Sequence, residues 1–279
     1  MPLVRFQIDA PRAVAALVFG MVWLAVLIVV LDVGLHHGGV LGDDLGGWFD
    51  GASERGLGSF VSVMQTALLA LTTWGVVALA RATGAPRARV WGWTLLAAAF
   101  SYLALDDGTM LHERVGSAFA DTSASETSAF PSYYWQLLLG PVFAALGLFM
   151  AAFLWRELPR RQWVRVVGAL ALLAVAVALD FVDGLSLLHP ANPTGPIAAA
   201  LGMADPTLGM DAPALVTHIA RVVEESLEIV AMTLLWSAIL GHLPSVAAGV
   251  RVCWAPDVAP ALGGDGAARG AAPVWEEAA

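Results

Sequence analysis

The hydrophobic positions of the chain fall into six long runs that are separated by polar segments. Each run is about 20 residues long, the length at which an α-helix crosses a hydrocarbon layer ~30 Å thick. The pattern predicts transmembrane helices over about residues 13–33, 59–80, 90–114, 133–155, 164–185 and 214–241. The predicted fold class is therefore an all-α integral membrane protein, a bundle of six transmembrane helices within residues 13–242.

Two shorter segments flank the predicted bundle. Residues 1–12 are mostly polar and are predicted to be a cytoplasmic N-terminus. The first hydrophobic run is too long for the core of a typical signal peptide, and no small-x-small cleavage site follows it, so we expect it to be retained as a helix. Residues 243–279 are rich in Ala, Gly and Pro, a composition that predicts a disordered cytoplasmic tail.

Arginine is distributed unevenly between the two sides of the predicted bundle. Of the 14 basic residues, all of which are arginine, only Arg55, Arg114 and Arg221 lie on the side away from the N-terminus. Cytoplasmic loops of membrane proteins carry the excess of positive charge. The distribution therefore predicts that both termini lie in the cytoplasm, and that the opposite side faces the periplasm.

The composition supports a membrane protein and excludes several other classes. Hydrophobic residues make up 58% of the chain, charged residues make up 13%, and the mean hydropathy is +0.74. Soluble domains contain about 25% charged residues. No basic patch indicates nucleic-acid binding. The single cysteine, Cys253, excludes an internal disulfide and a metal site built from several cysteines.

Acidic residues recur near the periplasmic ends of three predicted helices. At ~1.5 Å per residue, Asp106, Asp180 and Glu228 lie ~20–24 Å from the cytoplasmic ends of the third, fifth and sixth helices. His112 and His218 lie ~33–35 Å from those ends and form a second layer. We expect these side chains to meet at one depth, because polar stripes that faced lipid would be costly.

The faces of the helices support this convergence. At ~100° per residue, Asp106, Met110 and Glu113 share one face of the third predicted helix, and Asp180 and Asp183 are neighbours on the fifth. Six more acids than arginines occupy the three stretches, an excess that requires protons, water or bound cations. The eight acids are Asp106, Asp107, Glu113, Asp180, Asp183, Glu224, Glu225 and Glu228.

These residues predict a metal site with one or two divalent ions. Carboxylates combined with imidazoles favour Fe, Mn or Zn over Ca or Mg. We predict Asp107 and Glu224 as catalytic acid/base groups, and Arg114 and Arg221 as residues that hold an anionic substrate group or balance charge. The predicted metal ligands are Asp106, His112, Glu113, Asp180, Asp183, His218, Glu225 and Glu228.

A simpler interpretation stands beside the metal site. Each acid could be solvated at the periplasmic surface, or could pair with Arg114 or Arg221. Asp32, His36 and His37 come near the upper layer, but we interpret the two histidines as loop residues and not as ligands.

Two of the motifs resemble a group of bacterial multipass inner-membrane proteins. They are the Asp-acid-x4-His-Glu stretch from Asp106 to Glu113 and the Glu-Glu-x2-Glu stretch from Glu224 to Glu228. The resemblance covers the third to sixth predicted helices, and that group often has Glu where this chain has Asp107. It implies that the two motifs form one site, and it brings no activity with it.

Three functions remain open at this stage. The first is a membrane metalloenzyme, a hydrolase or an oxidoreductase, acting on a lipid or small molecule from the periplasmic side. The second is a cation or proton transporter, because acids inside a membrane mark ion paths. The third is a non-catalytic membrane subunit with a structural metal. The inner halves of the third, fifth and sixth helices look apolar, which weighs against transport.

Overall fold

The computed structural model describes residues 10–37, 46–53, 55–122, 128–186, 188–200 and 212–246. All regular structure within these residues is helical. Six of the helices are long and apolar enough to cross a membrane, in agreement with the six hydrophobic runs. The predicted disordered tail lies outside the described residues, apart from the end of the last helix, which continues to Val246.

The helices are numbered here in chain order. The six long ones are α1, α2, α3, α5, α6 and α8, and the two shorter ones, α4 and α7, lie in the connections that follow α3 and α6. Their bounds are Ala10–Leu31 (α1), Leu57–Ala82 (α2), Arg87–Thr109 (α3), Leu111–Ala120 (α4), Tyr134–Glu157 (α5), Arg160–Asp183 (α6), Thr194–Ala200 (α7) and Ala212–Val246 (α8).

The long helix α8 lies at the centre of the bundle and packs against α1, α2, α6 and α7. The main hydrophobic core lies between α2, α3, α5, α6 and α8, where Leu69, Trp93, Phe100, Leu154 and Leu235 are fully or almost fully buried. Large apolar side chains also cover the outside, including Phe19, Leu71 and Leu148, each of which is more than half exposed. An outer surface of this kind is compatible with contact to lipid.

The third predicted helix is interrupted, which corrects the prediction of one helix over 90–114. Helix α3 ends at Thr109, Met110 adopts the left-handed conformation (φ 51°, ψ 43°), and α4 begins at Leu111. Among the described residues other than glycine, Met110 alone has a positive φ. The predicted common face of Asp106, Met110 and Glu113 is therefore wrong, because the chain changes direction between them.

The end of α1 also departs from a regular helix. Residues Asp32–His36 form a π-helical turn, and the amide of His37 donates to the carbonyl of Asp32 at 3.1 Å. In an α-helix, His37 would be rotated about 140° from Asp32. The i→i+5 hydrogen bond instead places residue 37 one turn above residue 32, so both histidines flank the aspartate.

Candidate metal centre

Three histidines and two aspartates meet at the end of the bundle where α1 ends and α8 begins. This His/Asp cluster consists of Asp32, His36, His37, Asp50 and His218. In two overlapping sets, Asp32–His36–His37 and Asp32–Asp50–His218, the possible ligand atoms all lie within 4.8 Å of one another. Its most buried side chain, Asp32, is only 3% exposed. The cluster could therefore hold a metal ion.

The innermost side chains of the cluster, Asp32, His37 and His218, form a triangle of residues. His37 Nε2 lies 2.9 Å from His218 Nε2, and His218 Nε2 lies 3.0 Å from Asp32 Oδ2. The third side, from His37 Nε2 to Asp32 Oδ1, measures 3.8 Å. Ligand atoms that share a metal at ~2.0–2.1 Å are themselves about 3.0–3.4 Å apart. The two sides that end on His218 Nε2 are close to this spacing, whereas the third side is longer and ends on the other carboxylate oxygen of Asp32.

The other members of the cluster support this triangle. The amide of Gly51 donates to Asp32 Oδ1 at 3.0 Å and so holds the carboxylate in place. Asp50 Oδ1 faces His218 Nδ1 at 4.0 Å, and Asp50 Oδ2 faces His36 Nε2 at 3.9 Å. Histidines that bind metals usually present their second ring nitrogen to a carboxylate or carbonyl. Asp50 lies on that side of His218, at a distance longer than a hydrogen bond.

The environment of His37 favours a neutral imidazole. Burial, followed by the neighbouring ring of His218, lowers the pKa of His37, whereas Asp32 acts in the opposite direction. A lowered pKa leaves the ring uncharged at pH 7, and a neutral imidazole is the form that binds metals. His37 is therefore in the charge state that can bind a metal.

Of the ligands predicted from the sequence, His218 belongs to the His/Asp cluster. Asp106 and His112 instead pair with each other: Asp106 Oδ1 accepts the His112 backbone amide, and Asp106 Oδ2 contacts His112 Nδ1, both at 2.9 Å. The left-handed turn at Met110 brings His112 back over Asp106. Asp107, predicted as a catalytic group, accepts a long hydrogen bond of 3.4 Å from the Ser62 hydroxyl.

The acids of α6 also have specific partners. Arg221 Nε and Nη2 donate to the two carboxylate oxygens of Asp183, at 3.1 and 2.8 Å. The Tyr133 hydroxyl donates to the same carboxylate at 2.6 Å. Burial, and then this hydrogen bond, raise the pKa of Tyr133. Asp180 accepts a hydrogen bond from Gln136 Nε2 at 2.7 Å.

Most of the remaining predicted residues line a cavity of about 530 Å³, called the acidic cavity below. Tyr133, Tyr134 and Trp135 contribute aromatic side chains to it, and Arg221 contributes its guanidinium. Glu228 is half-buried on α8 and Arg114 is exposed on α4. The acids that line the cavity are Glu113, Asp180, Asp183, Glu224 and Glu225.

A second cavity of about 480 Å³ reaches the His/Asp cluster and is called the metal-side cavity. Asp50 and His218 form part of its wall, and Thr217 lies beside them. Asp183 and Arg221 line both cavities. The Asp183–Arg221 pair thus stands between the acidic cavity and the His/Asp cluster.

A family model described as "Domain of unknown function (DUF8692)" matches residues 15–243. The chain belongs to this family. The match includes the whole His/Asp cluster and both cavities. No curated protein and no solved structure matches the chain.

Sequence reasoning on this DUF8692 member missed four of the five cluster residues: Asp32, His36, His37 and Asp50. The interpretation of His36 and His37 as loop residues assumed that the α-helix ends without a π-helical turn. The available signal was an acid at the end of a hydrophobic run followed four and five residues later by histidines. No comparable signal marks Asp50, which reaches the cluster from the connection before α2.

Proposed function

We propose that the protein is a multipass protein of the bacterial inner membrane with both termini in the cytoplasm, and that it is a metalloenzyme. The arginine distribution supports the orientation. The apolar outer surfaces of the long helices support a location in the bilayer. The connections that carry Asp50 and Tyr133, together with the start of α8, then lie on the periplasmic side.

The observation that carries the proposal is the triangle of Asp32, His37 and His218. Two imidazoles and one carboxylate form a ligand set that leaves further coordination positions open. Such sites hold Fe, Mn or Zn in preference to Ca or Mg, which prefer oxygen ligands alone. A bound ion of this kind activates water for hydrolysis or binds oxygen for redox chemistry.

Metal content of the detergent-purified protein, measured by mass spectrometry, tests the proposal. We expect a stoichiometric transition metal in the wild type and its loss in His37→Ala and His218→Ala. His189→Ala is the matched control, because this histidine lies outside the His/Asp cluster and should retain the metal. Absence of a metal from wild-type protein, including protein incubated with Fe, Mn and Zn and then desalted, would contradict the proposal.

A further variant separates the His/Asp cluster from the ligand set predicted from the sequence. Glu225→Gln with Glu228→Gln removes two of the predicted carboxylate ligands and leaves the triangle unchanged. We expect this variant to retain its metal. Loss of metal in this variant, with retention of metal in His37→Ala, would show that the acids of α8 bind the metal. The metal found then indicates the chemistry to assay, Zn for hydrolysis and Fe for oxidation or reduction.

A second candidate function, cation or proton transport, is favoured by polar side chains between α2 and α8. This polar seam consists of Ser62, Gln65, Thr66, Thr233 and Ser237, all of which are buried. Gln65 Nε2 donates to Thr233 Oγ1 at 2.6 Å. Gln65 Oε1 and Thr66 Oγ1 accept no hydrogen bond from the described residues. Buried polar atoms in this situation usually bind internal water, and hydrated polar paths conduct ions.

Flux into proteoliposomes tests this second candidate. If the protein transports ions, protons or the bound metal should enter the liposomes. This flux should be slower with Gln65→Leu, which removes the central side chain of the polar seam. Thr72→Val is the control, since the half-buried Thr72 lies outside the polar seam and its hydroxyl accepts a hydrogen bond from Trp236 Nε1. Flux no faster than in empty liposomes would exclude transport and leave the metalloenzyme.

A further inference from the structure

The shape and charge of the two cavities carry an inference about what this site binds, which rests on the metal centre proposed above. The cavities have two lining residues of opposite charge in common, Asp183 and Arg221. One end of the combined space reaches His218 and Asp50, and the other end reaches the acids around Glu225. A ligand that occupied both cavities would meet different chemistry at its two ends.

The end near the His/Asp cluster suits an oxyanion. Arg221 has five N–H donors, and Asp183 takes one from Nε and one from Nη2. The Tyr133 hydroxyl also interacts with this guanidinium, and the N–H groups of Nη1, which Asp183 does not use, are donors that can bind a planar or tetrahedral oxyanion. Arg221 lies about one helical turn after His218 on α8. An oxyanion bound to Nη1 would therefore lie about one turn of α8 from His218.

Asp183 and Tyr133 fix the position of this guanidinium. Asp183 binds it through two hydrogen bonds, and the Tyr133 hydroxyl donates to the same carboxylate. An arginine held in this way loses little side-chain freedom when a ligand binds. Thr217 adds a hydroxyl group to the wall of the metal-side cavity.

The other end suits a positively charged group. Five acids line the acidic cavity, against one arginine among the described residues of its wall. The rings of Tyr133, Tyr134 and Trp135 stand among these acids. Aromatic faces combined with carboxylates attract ammonium groups through cation–π and Coulomb interactions. The cavity volume of about 530 Å³ lies within the range of small-molecule sites.

We propose that the two cavities bind one zwitterionic ligand, with its oxyanion on Arg221 beside the metal and its ammonium group in the acidic cavity. The class includes phosphoethanolamine, either as a free molecule or as the headgroup of a phospholipid. The oxyanion end faces the metal, so the bonds around that end are the ones that a metal-activated water or oxygen would reach.

Calorimetric titration of the metal-loaded, detergent-purified protein tests the proposal with three probes: phosphoethanolamine, inorganic phosphate and ethanolamine. We expect phosphoethanolamine to bind at least about tenfold more tightly than either of the other two, because both of its ends are recognised. Equal affinity for phosphoethanolamine and inorganic phosphate would overturn the proposal, as would tighter binding of ethanolamine alone.

Variants assign the two ends. Arg221→Lys keeps a charge opposite Asp183 but loses the Nη1 donors, and should weaken binding of phosphoethanolamine and of phosphate alike. Glu225→Gln should weaken phosphoethanolamine by severalfold and leave phosphate unchanged. The control is Arg89→Lys, at the opposite end of the bundle, where Arg89 pairs with Glu157. Thermal unfolding establishes that each variant is folded before it is titrated. An unchanged affinity for phosphoethanolamine in both site variants would contradict the assignment.

A repeat in nanodiscs identifies the source of the zwitterion. If the ligand is a lipid headgroup, nanodiscs with phosphatidylethanolamine suppress binding of soluble phosphoethanolamine, whereas nanodiscs of phosphatidylglycerol alone do not. If it is a free molecule, binding is the same in both. Metal-binding measurements on the same samples distinguish the two proposals. If the protein binds metal but shows no preference for the zwitterion, the proposed function stands and the zwitterionic ligand is excluded.

Discussion

Met110 holds a backbone conformation that a side chain other than glycine rarely adopts. The left-handed region costs such a residue about 1–2 kcal/mol, whereas glycine adopts it readily. The conformation persists because it turns the chain from α3 into α4 and brings His112 onto Asp106. Residues held in such conformations occur often at functional sites.

We expect Met110→Gly to stabilise the protein by about 0.5–1 kcal/mol. The substitution relieves the backbone strain at this position, and the greater freedom of glycine in the unfolded chain offsets part of that gain. The same substitution at Met64, within α2, should destabilise it by about 1 kcal/mol. Thermal unfolding in detergent measures both. Destabilisation of equal size at the two positions would show that the Met110 side chain matters more than its backbone.

Tyr133 gives a pH-dependent prediction. Its pKa is raised in the folded protein, first by burial and then by the bond to Asp183, so the folded state keeps the phenol proton to higher pH than the unfolded state does. The contribution of this proton to stability is complete below the ordinary tyrosine pKa of about 10 and is lost as the pH rises above it. Wild type should therefore lose more stability between pH 9 and 11 than Tyr133→Phe does.

Thermal unfolding of both proteins at a series of pH values measures this difference. At pH 8 the Tyr133→Phe variant should be less stable, by about 1 kcal/mol, because a hydrogen bond to a charged group is missing. Tyr134→Phe, at the neighbouring position, is the comparison that removes a hydroxyl without touching the bond to Asp183. A parallel pH response in wild type and Tyr133→Phe would contradict the raised pKa.

Among the elements, the spacing along the turn at the end of α1 decides whether His36 and His37 lie on the same side as Asp32. Deletion of Gly34 should convert this π-helical turn into an α-helical turn, in which the histidines follow Asp32 by three and four residues and still flank it. Insertion of Ala after Gly34 moves them to the fifth and sixth positions, about 140° and 240° away in an α-helix.

We therefore expect the deletion to retain metal and the insertion to lose it. Gly34→Ala is the control for the substitution itself, because a Cβ at this position meets nothing within 4 Å. Metal content and thermal unfolding in chelator, measured on all three variants, separate loss of the site from loss of the fold. Metal retained by the insertion variant would show that the turn does not set the positions of the histidines.

The long helices could be predicted from the sequence because burial in lipid requires continuous runs of apolar residues, and such runs are visible directly. The two irregular turns could not. The break at Met110 falls in a stretch, Asp106 to Leu111, that contains no proline, and Met is not a residue that usually ends a helix. The π-helical turn differs from an α-helix by one residue, which is less than the precision with which helix ends can be read from a sequence.

For the whole molecule, the arginine distribution predicts how the chain is oriented in the membrane, and this prediction can be tested. Cys253 is the single cysteine and lies after α8, on the predicted cytoplasmic side. A membrane-impermeant maleimide should label it in inverted vesicles and leave it unlabelled in intact spheroplasts. In a Cys253→Ser background, Ser186→Cys, which follows α6, should show the reverse pattern. Labelling of Cys253 in intact spheroplasts would contradict the proposed topology.

The candidate site shows how far sequence reasoning extends at this scale. The sequence predicts His218 as a ligand because it lies on the same stripe of α8 as Arg221 and Glu225, and helix periodicity is sufficient for that. Its partners Asp32 and Asp50 come from residues more than 160 positions earlier, and their meeting depends on α1 packing against α8. This packing cannot be inferred from the spacing of residues or from the composition of the sequence. The ligand role of the acids on α3 and α6 remains a prediction.

The length of α8 has a consequence for where this chemistry takes place. With 35 residues it is about 50 Å long, well beyond the ~30 Å of a hydrocarbon core. A helix with such an excess must tilt or project into the headgroup layer, and its first turns carry His218 and Arg221. If the proposed membrane location and metal centre are correct, a change in bilayer thickness that alters the tilt of α8 would change the distance from His218 to Asp32. The lipid composition of the surrounding membrane would then control metal affinity.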